Sequence, residues 1–213
     1  MLSCNSKPHR ASNSDSTSNI AVAIGYSGRL NLAKLTLKEN IPALMTAQKV
    51  KLEPITDTDK TLWGHDRMKS NDPKALQFGG ADLAGASGKN KNYVLLHYDE
   101  KTKKLIFYEV EMYSREQAKA LSGELNKLGK PTFEKKWPDG SMDIDENGHA
   151  VQPKPDEKQI FQVWDDKLTG ISYFYGAKEN SHSFAAKLTV LKKADQAGRD
   201  WMSFSRLDWY QKR

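Results

Sequence analysis

The chain has 213 residues, with 38% hydrophobic and 28% charged. That is a globular rather than a disordered composition, long enough to bury a core without disulfide or metal staples. No run of about 18 apolar residues exists to make a membrane-spanning helix, and a lone cysteine excludes an internal disulfide framework. The net charge of +6 comes from 33 basic against 27 acidic residues, interspersed along the chain, so it reads as a solvated surface and nucleic acid is not expected as a partner.

The chain opens Met1-Leu2-Ser3-Cys4-Asn5-Ser6-Lys7-Pro8 and runs through Ser, Asn, Thr and Asp to Asn19. Residues 5–19 are almost without apolar side chains, so nothing there offsets the entropy cost of ordering the backbone, and 1–19 is expected to be a disordered tether. Leu2-Ser3-Cys4 resembles the end of a lipobox, the signal motif of bacterial lipoproteins. The resemblance implies that Cys4 carries the lipid, that the partner of the tail is a membrane, and that the domain stands in the cell envelope, facing the periplasm or the surface. It also implies a basic and apolar signal segment encoded upstream of Met1. The alternative is a cytosolic chain with a polar N-terminal extension.

Residues 20–213 are expected to form one α+β domain. Residues 30–35 suggest a strand. Asn40 followed by Pro42 starts a helix over 41–50. Residues 64–91, rich in Gly, Asn, Asp and Ser, read as loop. Residues 93–98 and 105–112 make a β-hairpin, closed by the polar stretch 99–103. In its second strand Tyr108, Val110 and Met112 alternate with Glu109 and Glu111, which predicts one wet face there.

A helix over 115–128 follows, with a Ser114/Gln117 capping-box pattern and Ala118, Leu121, Leu125 and Leu128 at helical spacing. Gly129 and Pro131 terminate it. Strands are expected at 132–137, 159–164, 170–175 and 184–190, with a turn at Asp165-Asp166-Lys167. Trp201, Phe204, Leu207 and Trp209 mark a short helix or an aromatic flap near the end. Strands outnumber helices and most connections are hairpins, so the fold is a mainly antiparallel sheet with one or two helices packed on a face.

Asp143, Asp145 and Asn147 followed by Gly148 match the first half of a calcium loop, where oxygen ligands at alternate positions suit a hard cation. The twelfth position is Lys154 and not the bidentate Glu, and Asn147-Gly148 is a strong type I′ hairpin signal, so a hairpin is favoured and calcium is the weaker alternative. Gly88-Lys89 lacks the earlier glycine and the Ser or Thr of a phosphate loop. Gly25-Tyr26-Ser27-Gly28 lacks the last glycine of a nucleophile elbow, although Ser27, His65 and Asp66 can be assembled into a triad on paper. The five histidines have no metal-ligand spacing, and His97 reads as a half-buried residue of an apolar strand.

The aromatic residues Trp164, Tyr173, Tyr175, Trp201 and Trp209 crowd the C-terminal half. Tyr173 and Tyr175 point opposite to Phe174 on one strand. Either both faces of the sheet are covered, or one shows aromatics to solvent as a binding surface. Three functions follow from these residues. The leading one is a non-enzymatic, lipid-anchored envelope protein whose domain binds a ligand or a protein. The second is an inhibitor or immunity-type protein that docks an aromatic face on a partner enzyme. The third is a hydrolase drawing acids from Asp143, Asp145, Asp165 or Asp166. No catalytic residue is assigned.

Overall fold

The computed structural model describes residues 28–55, 65–137, 143–144, 150–151 and 156–204. The first half holds a 3-10 turn Leu32–Lys34, helix α1 (Ile41–Gln48), strands β1 (Glu53–Pro54) and β2 (His65–Ser70), and a second 3-10 turn Pro73–Ala75. Two small hairpins follow, β3 (Gln77–Phe78) with β4 (Ala81–Asp82), and β5 (Ala86–Ser87) with β6 (Asn90–Lys91). Next come β7 (Tyr93–Asp99), β8 (Leu105–Met112), helix α2 (Arg115–Asn126) and β9 (Phe133–Trp137). The rest is β10 (Asp143–Ile144), β11 (Ala150–Val151), β12 (Lys158–Asp166), β13 (Ile171–Glu179), β14 (Phe184–Lys192) and helix α3 (Gln196–Phe204).

The main sheet has eight strands in the order β1-β2-β7-β8-β14-β13-β12-β9, and every neighbouring pair is antiparallel. The fold is α+β. Because successive strand residues point to opposite faces, the sheet builds two cores. The larger holds Leu96, Tyr108, Val110, Leu188 and Val190 under α1, α2 and the excursion between β2 and β7. The smaller holds Phe107, Val163, Phe174 and Leu191 on the opposite face, closed by Met202 of α3. Helices therefore cover both faces, and among the described residues the alternative in which aromatics lie open is not the one found.

Each helix has a local cause. Asn40 caps α1, its side chain accepting from Ala43 N at 3.0 Å, and Lys49 ends it in the left-handed region. Helix α2 buries Ala118, Leu121 and Leu125 at helical spacing. It is shorter than the sequence suggests, ending at Asn126, which leaves Leu128 half exposed. Ser114 sits at its N-cap but makes no capping bond, because its hydroxyl accepts from the Asn92 amide at 2.8 Å. The same amide donates to the Leu83 carbonyl, tying the β2–β7 excursion to the start of α2. In α3, a Cβ at Gly198 would run into the Lys192 carbonyl, so this position needs glycine for the helix to lie against the end of β14.

Several segments differ from the sequence reading. Leu30 is buried but the segment from Leu32 is a 3-10 turn, because the Asn31 side chain accepts from Ala33 N and turns the chain. Residues 65–70, taken as loop, form β2: their polar side chains lie on a sheet strand whose partner β7 supplies the apolar packing. Asp165 and Asp166 belong to β12, and the turn begins after them.

Tyr108 is fully buried and its hydroxyl donates to the Leu32 carbonyl at 2.8 Å, joining the 3-10 turn to the sheet. Tyr108→Phe keeps the ring but removes one of the two hydrogen bonds that the Leu32 carbonyl accepts, the other coming from Leu35 N. It is expected to cost about 0.5–1.5 kcal/mol in urea unfolding, whereas no change in midpoint would show that this bond adds nothing to stability.

Candidate functional site

Among the described residues, polar side chains gather in a buried cluster and in two surface clefts. The first is buried between the sheet and α3. Glu109 of β8 stands directly across from Leu95 on β7 and Thr189 on β14. One carboxylate oxygen accepts from Lys187 Nζ at 3.0 Å, Thr189 Oγ1 at 3.2 Å and Trp201 Nε1 at 3.3 Å. The other faces His97 Nε2 at 3.5 Å, an ion-pair distance at which no hydrogen bond forms. His97 stacks on Phe107 at 3.8 Å between ring centroids, and its Nδ1 shares a hydrogen bond with His65 Nε2 at 3.1 Å.

Glu109, His65 and His97 are all buried. Burial pushes the His97 ring down against the pull of Glu109, and Arg67 and Lys187 push the same way as burial. Burial alone raises the Glu109 carboxyl, but the neighbouring His97 ring and Lys187 ammonium outweigh it and hold the group well below the ordinary carboxylate range. Apart from His97 Nε2, which faces Glu109 without a hydrogen bond, these groups satisfy one another. They act as a polar clamp joining β7, β8 and β14 to Trp201 of α3.

The second place is a cleft of about 300 Å³ at the end of the sheet, between the Leu32–Lys34 3-10 turn and the β12–β13 turn. Lys34, Lys38, Lys192, Asp166, Thr169 and Tyr173 line it, over the apolar side chains of Leu35 and Ile171. Both rims are locked from within. Buried Glu39 accepts from Thr36 N at 2.6 Å, Thr36 Oγ1 at 2.7 Å and Lys38 N at 3.1 Å, which holds Leu37 at φ 61°. On the other rim Asp166 accepts from Leu168 N at 2.9 Å and Thr169 Oγ1 at 2.7 Å.

None of Lys34, Lys38 and Lys192 has an acidic partner among the described residues. Tyr173 is 6% exposed, and its hydroxyl hydrogen-bonds to no described residue. Burial, then the Asp166 carboxylate, push this phenol up to about 12, so it stays an uncharged hydroxyl at neutral pH. A second, more open cleft of about 270 Å³ at the other end of the sheet carries Lys69, Lys89, Lys91, Tyr93 and Tyr113. There Lys69 is already engaged, its ammonium 3.8 Å from the Tyr93 ring centre.

Compared with known proteins, the chain matches no family model, and no curated protein is similar to it.

The residues singled out in the sequence fall in different places. Trp164 and Tyr175 are buried in the larger core and present no face to a partner, and the Trp164 indole donates to the Gly129 carbonyl at 3.1 Å. Tyr173 belongs to that core by its ring, which packs edge-on against Phe78, but its side chain reaches the wall of the cleft. Trp201 is half-buried and committed to Glu109 and Phe107. Trp209 lies outside the described residues, as do Cys4, Ser27, Asp145 and Asn147.

Asp143 and Ile144 pair antiparallel with Val151 and Ala150, the pairing of the hairpin alternative. Among the described residues no group of three or more His, Cys, Asp or Glu is arranged to hold a metal ion. Asp165 and Asp166 do not converge. Asp165 pairs with Lys193 at 2.7 Å and accepts from Ser172 and Thr132, whereas Asp166 organises the following turn. Gly88 and Lys89 are the turn of the β5–β6 hairpin.

The lysine-lined cleft escapes sequence reasoning because it joins residues 34–38 to 166–173 and Lys192. Only the density of Lys in 34–38 and the Asp166 turn are visible locally.

Proposed function

We propose that this chain is a non-enzymatic envelope lipoprotein: Cys4 takes the lipid, residues 5–19 form the tether, and the α+β domain binds a ligand in the cleft between Lys38 and Thr169. The observation that carries the binding reading is a cleft with locked rims whose lysines and Tyr173 hydroxyl are uncommitted. Pre-built sites of this kind spend little free energy on ordering when a ligand arrives. The buried clamp around Glu109, by contrast, has its groups turned toward one another.

The anchor reading rests on Leu2-Ser3-Cys4 followed by a polar stretch. No helix among the described residues is long and apolar enough to cross a membrane, so attachment in this reading is by acyl chains. Two or more such chains give stable membrane binding.

Expressed from its native locus, the wild-type protein is expected in the detergent phase of a phase-separation assay, with acyl chains on Cys4 by mass spectrometry. Cys4→Ser is expected to move it to the aqueous phase. A wild-type protein that is unacylated and aqueous would sink the anchor.

For binding, a native cell extract is expected to raise the melting temperature of the wild-type protein. The same extract is expected to leave Lys34→Ala/Lys38→Ala unmoved. Equal responses of the two proteins would sink the cleft as the binding site.

A further inference from the structure

We infer that the cleft between the 3-10 turn and the β12–β13 turn takes a small anionic carbohydrate, a single sugar ring bearing a phosphate or carboxylate. The inference rests on the reading of this cleft as the ligand site and names its ligand class.

Size sets the first bound. About 300 Å³ lies at the small end of ligand sites, which holds one sugar ring and excludes an extended polymer inside the cleft. Charge sets the second. Lys34, Lys38 and Lys192 bring three ammonium groups against the single carboxylate of Asp166, and no described acid neutralises them. An anion entering there exchanges water for charge-assisted hydrogen bonds, which are about twice as strong as neutral ones.

The uncharged groups decide between a bare anion and an anionic sugar. The Tyr173 hydroxyl reaches the cleft wall and hydrogen-bonds to no described residue, so it is available to a ligand hydroxyl. Asp166 accepts from Leu168 N, Thr169 N and Thr169 Oγ1, which leaves one of its roughly four lone-pair sites to accept from a ligand hydroxyl. A bare phosphate is a poor match for a carboxylate, since the two repel. A sugar hydroxyl suits it. Leu35 and Ile171 supply an apolar floor for a ring face. The locked rims, through Glu39 on one side and Asp166 on the other, hold these groups in place before binding.

The test is calorimetric titration of the full chain with glucose 6-phosphate, glucuronate, glucose and inorganic phosphate. One or both charged sugars are expected to bind about tenfold or more tightly than glucose or phosphate. Lys34→Ala/Lys38→Ala, both exposed positions, is expected to weaken that binding by about tenfold or more. Tyr173→Phe is expected to weaken it by about threefold to tenfold while circular dichroism shows the fold intact. Lys69→Ala/Lys91→Ala, in the other cleft, is expected to leave it unchanged.

Absence of heat from both charged sugars overturns the inference, as does binding that survives the Lys34/Lys38 change. Phosphate alone binding as tightly as the sugars also overturns it. If neither sugar binds but the extract still stabilises the wild-type protein and not Lys34→Ala/Lys38→Ala, the ligand class falls and the cleft stands as a binding site. If the extract gives no difference either, both fall together.

Discussion

Trp164→Ala is expected to cost about 3–5 kcal/mol, the range for deleting a large aromatic from a packed core. The indole is 2% exposed on the helix-covered face of β12, across from Tyr173 on β13. Its N–H also donates to the carbonyl of Gly129, the residue at φ 114° that lets the chain leave α2 and turn toward β9. Truncation therefore opens a cavity and removes a hydrogen bond in one step. In a chain of this size the loss lowers the melting temperature by about 10 °C. Trp164→Phe keeps most of the volume and loses only the hydrogen bond, so about 1–2 kcal/mol is expected. Thermal melts followed by circular dichroism check both. A melting temperature unmoved by Trp164→Ala would restore the indole to the list of surface residues.

Which parts were legible in the sequence follows from where the determining contacts lie. The β7–β8 hairpin and α2 depend on neighbours in the chain. Asp99 accepts from Lys101 N, Thr102 N and Thr102 Oγ1 to close the hairpin turn, and Ala118, Leu121 and Leu125 form a continuous stripe. The α+β class with a mainly antiparallel sheet could be read for the same reason. Strand β2 escaped because His65, Asp66, Arg67 and Lys69 carry no apolar alternation, and the pairing with β7 that makes them a strand is non-local. Glu109 escaped differently. Its alternation with Tyr108 and Val110 is real, but the face it points to is covered by α3, so a residue expected to be wet is 5% exposed. Its partners Lys187, Thr189 and Trp201 lie some eighty or ninety positions away in sequence. The aromatic crowding of the C-terminal half had two readings until both faces of the sheet were seen to be covered.

Covering that second face makes Glu109 the hinge of acid stability. Glu109→Ala removes the acceptor shared by Thr189 and Trp201 and one of the two carboxylates held by Lys187. The cost expected is about 2–4 kcal/mol, below the full range for a broken buried pair because Lys187 is partly exposed and keeps Glu111 at 3.1 Å. With Trp201 unpinned, α3 is expected to exchange its amides with solvent faster than β8 does.

The pH profile separates the two titrating partners. The folded-state value of Glu109 is depressed, so the unfolded chain takes up this proton first. Its contribution is complete above the ordinary value of 4.5 and is lost as pH falls from there to about 2. His97 is also depressed, by burial, and so stability begins to fall once pH drops below the ordinary value of 6.5. Urea unfolding at intervals from pH 8 to pH 3 should show stability falling in two limbs.

Glu109→Gln keeps the shape and an amide oxygen for Thr189 and Trp201. It should shrink the lower limb to the part owed to other depressed carboxylates such as Asp165, and steepen the upper one, because a protonated His97 then faces Arg67 and Lys187 with no carboxylate to offset them. His97→Gln should flatten the upper limb and shrink the lower one, because the His97 ring is one of the groups that hold Glu109 down. An acid profile for Glu109→Gln that overlays the wild type would place the controlling carboxylate elsewhere in the sheet and break the link between this clamp and the docking of α3.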